Sequence, residues 1–189
     1  MITDIEQLDL TKTYTTADYL QWRFQERVEL IWGQLFKMSP APSSRHQIIS
    51  GSLHSIFWNY LKNKSCKVFA APFDVYLPTE NKNTVVQPDL CVICDPAKIQ
   101  HKGCVGSPDL VIEILSPGNS RKEMREKYDL YEACGVLEYW VVFMEEQIVQ
   151  RYQLDQRGVY QAQKPNVTGD VVSPLCLAGL GVAVEEVFE

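Results

Sequence analysis

Pro108-Asp109-Leu110-Val111-Ile112-Glu113-Ile114-Leu115 reads as a hydrophobic strand with an acid set into its middle. A second Pro-Asp-Leu run lies upstream, Pro88-Asp89-Leu90-Cys91-Val92-Ile93. Side chains alternate between the two faces of a strand, so Asp109, Val111, Glu113 and Leu115 share one face. A carboxylate among valine, isoleucine and leucine is costly to bury unless something binds it. Two neighbouring strands that each carry an acid would bring a pair of carboxylates together, as proteins do to hold a hard cation such as Mg²⁺.

Upstream of these strands, YTTADYLQWRFQ (14–25) predicts a short helix capped by Thr15 or Thr16, with Tyr19, Leu20 and Trp22 as anchors. Residues 28–38 predict two short strands about a turn at Trp32-Gly33-Gln34, and SPAPSS (39–44) a loop. Ile49, Leu53, Ile56, Phe57, Tyr60 and Leu61 recur at helical spacing, which predicts a long helix over 45–62. Strand signals follow over 67–77, 85–94 and 110–115. A helix is expected over 121–134, with Ser120 and Glu123 forming a capping box and Gly135 in the C-terminal glycine position. EYWVVF (138–143) is apolar enough to be central in a sheet. From Gln147 onward, β-like segments alternate with turns such as Asp155-Gln156-Arg157-Gly158. This order predicts an α/β or α+β fold, a central mixed sheet flanked by helices with a β-rich C-terminal part.

A chain of 189 residues suits one well-filled core better than two. One domain is therefore expected over 1–189, with residues 1–13 an N-terminal extension that need not be fixed. Hydrophobic content of 46% with 11% aromatics is that of a globular chain rather than a disordered one. No apolar run approaches the roughly 18 residues of a membrane span, and residues 1–13 are too acidic and polar for a signal peptide. No membrane partner and a cytoplasmic location are the expectation. Cysteines stand at 66, 91, 94, 104, 134 and 176. Cys91 and Cys94 have a C-x2-C spacing, but in a strand they point to opposite faces, and no second pair follows to complete a zinc knuckle. Free buried thiols are expected instead. A net charge of −6 argues against a protein that coats nucleic acid electrostatically. A local basic patch, or a metal supplying positive charge, remains compatible with it.

The helix after the second Pro-Asp strand adds a cation. At about 100° per residue, Met124, Tyr128 and Tyr131 define an apolar stripe, widened by Leu130 and Cys134. Lys127 falls within that arc, while Arg125, Glu126 and Asp129 point away. A lysine on the buried side of a helix must snorkel out or find an anion, and Glu113 and Asp89 are the anions on offer. Two acids and a lysine converging there would hold a divalent metal and polarise a water for attack on phosphorus.

VVQPDLCVI (85–93), PDLVIEILSPG (108–118) and EKYDLYEACGVLEYWVV (126–142) together resemble the Uma-two family of the PD-(D/E)XK, restriction-endonuclease-like superfamily. VELIWGQLFKMSPAPSSRHQ (28–47) and PFDVYL (72–77) resemble further blocks of it, so the likeness runs in order over 14–160. The resemblance implies a restriction-endonuclease-like fold and metal-assisted phosphodiester hydrolysis, with Mg²⁺ as cofactor and Mn²⁺ as substitute. It implies that Asp89 and Glu113 hold the metal, with the Ile114 carbonyl as an added ligand. In the parent motif the lysine lies two residues after the acid, where this chain has Leu115. The resemblance moves that role to Lys127, to orient or help deprotonate the attacking water, and makes Glu29, in VELIWG, an additional acid of the site. The implied partners are nucleic acid, in the first place DNA, and a second copy in a homodimer. Two rival readings stand beside it: a catalytically silent nucleic-acid-binding or regulatory module, and a metal-dependent hydrolase of a small phosphate.

Other polar residues weigh less. Asp109 sits at its strand's entry and is expected to cap the turn at Gly106-Ser107-Pro108. Asp74 either lines the cleft or bonds across strands. His46 either contacts substrate phosphate or packs at its helix start. Arg45, Arg121, Lys122 and Arg125 are solvated charges by default, and phosphate contacts if they cluster beside the site. The decisive expectation is a Lys127 ammonium within a few ångströms of the Glu113 carboxylate; a lysine facing bulk solvent would contradict it.

Overall fold

The computed structural model describes residues 2–38, 41–81, 83–116 and 121–189, excepting the side chains of 121–123. The first half of the chain carries α1 (Thr16–Tyr19), β1 (Val28–Ile31), β2 (Gln34–Lys37), α2 (Ser44–Leu61), β3 (Lys67–Ala70), β4 (Val75–Tyr76), β5 (Val85–Val86) and β6 (Leu90–Ile93). The second half carries β7 (Ile99–Gln100), β8 (Gly103–Val105), β9 (Leu110–Leu115), α3 (Arg121–Ala133), β10 (Glu138–Phe143), β11 (Ile148–Leu154), β12 (Tyr160–Ala162), β13 (Val171–Val172), β14 (Val182–Ala183) and α4 (Val184–Phe188). One six-stranded sheet has the order β12-β11-β10-β9-β6-β3, the other β2-β1-β5-β4-β8-β7, and β13 pairs with β14. The fold is of the expected mixed kind, with two large sheets where one was expected.

β9 and β10 are parallel neighbours, joined by α3, and both read as buried throughout most of their length. Strands covered on both faces favour such continuous apolar runs. The two faces of the first sheet fill two cores. Leu110, Ile112, Ile114, Trp140 and Val142 meet Ile49, Leu53 and Phe57 of α2 on one side. Val111, Tyr139 and Val141 meet Leu130 and Tyr131 of α3, together with Val75 and Val86 of the second sheet, on the other. A third cluster ties the N-terminal segment to the second sheet, with Ile5, Leu8 and Trp22 buried against Leu30 and Val85.

Several departures from the expected elements have local causes. The strands expected at 67–77 and 85–94 are each cut in two, and the halves join different sheets. Pro72 and Pro88 stand at the cuts, and a proline has no N–H for a ladder. The helix expected over 14–25 keeps only Thr16–Tyr19, with Thr15 and Asp18 forming its capping box. Beyond it the backbone turns to pair with the N-terminus, Arg23 N–H donating to Ile2 C=O at 2.8 Å. Trp22 is buried as expected, whereas Leu20 is exposed. The turn at Trp32-Gly33 forms as expected between β1 and β2, both residues having positive φ. The capping box expected at Ser120 falls outside the described residues. Cys66 and Cys94 are not free thiols but a disulfide: β3 and β6 pair antiparallel with Lys67 opposite Ile93, and the next step sets the two cysteines opposite each other. Cys91, Cys104 and Cys134 are buried thiols. Among the described residues no helix is long and apolar enough to cross a membrane.

Two glycines make a paired test of backbone against space. An added Cβ would meet nothing within 4 Å at either Gly51, inside α2, or Gly135, which ends α3. Gly135 has φ +74° and its N–H donates to Glu132 C=O at 3.0 Å; Gly51 has ordinary helical backbone. In urea denaturation Gly51→Ala is expected to stabilise by about 0.5–1 kcal/mol. Gly135→Ala is expected to destabilise by about 1 kcal/mol or more.

Candidate active site

β6 and β9 run antiparallel with Leu90 opposite Ile112, so one further step sets Asp89 opposite Glu113. The pairing is locked by the Ile114 N–H, which donates to Asp89 Oδ2 at 2.8 Å. α3 crosses from β9 to β10 over that same face and carries Lys127 and Tyr131 one turn apart. Lys127 Nζ donates to Glu113 Oε1 at 2.8 Å and to Glu29 Oε1 at 3.2 Å. The Tyr131 hydroxyl donates to the same Glu113 oxygen at 2.7 Å. Lys127 is thus folded back onto the acids, as the helical stripe implied. Glu29 arrives from β1 of the other sheet, where its carboxylate also accepts the Gln87 N–H at 2.8 Å.

Glu29 and Glu113 are buried, at 5% and 7% exposure. Burial lifts the Glu113 carboxyl to about 7, against the pull of the Lys127 charge, with Asp89 and Glu29 adding repulsion. Burial by itself would lower the Lys127 pKa, but the charges of Glu113 and Glu29 outweigh it and hold the ammonium protonated well past its ordinary range. Burial also raises the Tyr131 hydroxyl, so it stays a donor.

His46, in the first turn of α2, brings Nε2 to 3.3 Å from Asp89 Oδ2. This contact raises the imidazole pKa, with burial opposing it. Ring Nδ1 is buried with no hydrogen-bond partner among the described residues. Asp109 accepts the Cys94 N–H at 2.7 Å, a structural link between strand ends. Asp74 lies outside the cleft and holds the Tyr19 and Tyr76 hydroxyls and the Gln87 side chain. Arg45 is exposed and does not line the cleft. Arg125 points to solvent, 3.9 Å from Asp129, so neither arginine clusters beside the acids as the phosphate-contact reading requires. The side chains of Arg121 and Lys122 lie outside the described residues.

The acids floor a cleft of about 530 Å³ between α2, α3 and the β1–β2 hairpin. Among the described residues its lysines and arginines are Arg27, Lys37 and Lys127. Charge at a hairpin end looks like plain surface in the sequence, which hides Arg27 and Lys37. Alternation is a signal for Arg27 alone, which stands two residues before Glu29 at the entry to β1; Lys37 lies opposite Val28, on the other face from Glu29. Glu126, expected to point away, lines the cleft as well. In the sequence Tyr131 is one member of the apolar stripe, since nothing in a helical period reveals what a phenol donates to.

Among the described residues, donors engage one oxygen of each acid, Asp89 Oδ2 and Glu113 Oε1. Asp89 Oδ1 and Glu113 Oε2 therefore have no donor among the described residues. Among those residues, no three His, Cys, Asp or Glu side chains converge closely enough to hold an ion by themselves. Two facing carboxylates with a backbone carbonyl suit Mg²⁺, which keeps several waters of its own, better than an ion needing an all-protein cage.

A family model described as a putative restriction endonuclease, Uma2, matches residues 16–185. An uncharacterized protein of Synechocystis sp. is 32% identical over 127 residues, 66% of this chain. The match spans 65% of that relative's own length, just under two thirds. The crystal structure of a putative nuclease belonging to DUF820, from Anabaena variabilis, is similar with a TM-score of 0.73 at 20% identity. That likeness covers 93% of this chain and 97% of the other and establishes a common fold.

The raised Glu113 carboxyl has a consequence for stability. Between its ordinary value of 4.5 and its folded value of about 7, the folded state binds more protons than the unfolded state. Stability is therefore full below about pH 4.5, so far as this group is concerned, and is lost as pH rises through 7. Urea midpoints measured across that window without divalent ions should fall for the wild type and flatten for Glu113→Gln. A profile identical in the two proteins would contradict the assignment.

Proposed function

The chain belongs to the Uma2 family, whose members are described as putative restriction endonucleases, and from that premise we propose a Mg²⁺-dependent endonuclease that hydrolyses DNA phosphodiester bonds. The observation that carries the reading is the Lys127 ammonium 2.8 Å from a buried Glu113 that faces Asp89 across two paired strands. A charged lysine and two acids on the floor of an open cleft are costly as scaffold, because each charge has lost water. They are useful where negative charge develops in a transition state.

Asp89 Oδ1, Glu113 Oε2 and the Ile114 carbonyl are the atoms that would hold a divalent cation. Bound there, Mg²⁺ or Mn²⁺ would supply a Lewis acid for the phosphoryl group and lower the pKa of a bound water. His46 and the Ile114 N–H keep Asp89 in place by occupying its other oxygen. Lys127, held protonated by its two acids, orients the attacking water and meets charge on phosphoryl oxygens rather than abstracting a proton. Tyr131 fixes the Glu113 rotamer through Oε1. Glu29 sets where the Lys127 ammonium lies and can tune the site. Arg27 and Lys37 are placed to contact phosphates on either side of the scissile one. A homodimer belongs to the same proposal.

One observation favours the catalytically silent module as second reading: no three ligand side chains converge among the described residues. Incubation of plasmid, single-stranded DNA and RNA with Mg²⁺ or Mn²⁺ separates the two. Cleavage is expected, abolished by chelator and lowered about 10²–10³-fold in Lys127→Ala, the span of one positioned donor to developing negative charge. Asp89→Asn and Glu113→Gln should lose it as fully. Salt-sensitive binding without cleavage by the wild type would favour the silent module instead.

A further inference from the structure

The cleft runs on past the acids along one flank of α2. Ile49, Leu53, Phe57 and Leu61 form the buried face of this helix. At about 100° per residue, Gln47, Ser50, Gly51, His54 and Trp58 fall on the adjoining flank. All of these but Trp58 line the cleft. His54 and Trp58 extend it with a stacked pair, ring centroids 6.0 Å apart and planes 19° from parallel. Trp58 is 52% exposed, a large ring half open to solvent at the end of a charged groove. Gly51 sits midway, and nothing lies within 4 Å of where its Cβ would be. A glycine inside a helix weakens it, and here it relieves no clash within the chain; it keeps the groove floor low. Across the groove stand Arg27 and Lys37.

We propose that this flank is the track of one nucleic-acid strand, with an unpaired base stacked on Trp58 and phosphates passing Arg27 and Lys37. The helix runs about 18 Å from His46, which touches Asp89, to Trp58, room for a few nucleotides between the scissile bond and the stacked base. Base–aromatic stacking tolerates any sequence because every base has a π-face, and a backbone-tracking cationic wall is its usual companion. A continuous duplex hides its base faces from such a platform. The proposal rests on the nuclease reading and narrows its substrate to nucleic acid with an unpaired stretch: a single strand, a flap or a frayed end.

Fluorescence anisotropy tests it, with Ca²⁺ in place of Mg²⁺ so that strands bind uncut. The probes are a fluorescein-labelled oligothymidylate and a blunt dA·dT duplex of the same length. The single strand is expected to bind at least about tenfold tighter than the duplex, and Trp58→Ala to weaken it about tenfold. Trp58→Phe should recover most of that loss. Gly51→Leu, a good helix former that fills the groove, should weaken strand binding without lowering the urea midpoint. Equal affinity for strand and duplex, or wild-type affinity in Trp58→Ala, overturns the track. If Glu113→Gln still abolishes cleavage in that case, the nuclease reading survives. If neither probe binds and no nucleic acid is cut, both fail. A Trp58→Ala protein with altered sedimentation and unaltered strand affinity also overturns the track, assigning the ring pair to a contact between copies.

Discussion

A carboxylate in the middle of a buried strand has to be compensated, and in this chain the compensation organises both sheets. Glu113 sits in β9 between apolar neighbours, and an uncompensated charge there would cost several kcal/mol. Lys127 and Tyr131 donate to it from α3. Their reach requires α3 to lie over the β9 face, which the parallel β9–α3–β10 connection provides. Lys127 in turn pulls in Glu29 from the second sheet. One buried acid thereby links a strand, its crossover helix and a hairpin from the opposite layer.

The compensation is incomplete by design of the backbone. Glu113 is only partly ionised near pH 7, its carboxyl lifted to about 7 by burial despite the Lys127 charge. Asp89, Glu113 and Glu29 outnumber the lysine in the same small volume, and the cleft leaves one oxygen of both Asp89 and Glu113 without a protein donor among the described residues. Excess negative charge at a floor of fixed geometry is a state that a divalent cation relieves. Under the proposed function, the stability given up to hold the acids together would return as affinity for such an ion. Structural acids behave otherwise. Glu138, fully buried in β10, accepts the Leu175 N–H at 2.6 Å and lies 3.7 Å from Arg151; Asp74 spends its carboxylate on two tyrosines and Gln87.

Much of this was legible in the residues. The alternation in PDLVIEIL put Glu113 on the same face as Val111, and the α3 stripe put Lys127 on the buried side; both follow from periodicity, and the two meet at 2.8 Å. The continuous apolar runs at 110–115 and 138–143 became adjacent central strands for the same reason. Less legible was anything set by pairing between distant segments. Cys66 and Cys94 meet because β3 and β6 share a register, which no local pattern encodes. The division of 67–77 and 85–94 between two sheets turned on Pro72 and Pro88, whose effect depends on which neighbour each half finds. Arg27 and Lys37 stand in the cleft wall while Arg45 and Arg125 stand outside it, because which charges face the acids is set largely by how the hairpin, α2 and α3 come together around them.

The account stands on Asp89 and Glu113 acting together as the seat of a divalent ion. Calorimetric titration of Mn²⁺ into the protein, at pH values below and above 7, measures this without recourse to catalysis. Saturable binding that tightens as pH rises and releases a proton is predicted, because the ion must displace the proton that burial holds on Glu113. The same titration should give no binding isotherm for Asp89→Asn and for Glu113→Gln. Binding of undiminished strength in either variant, or none in the wild type, would contradict it.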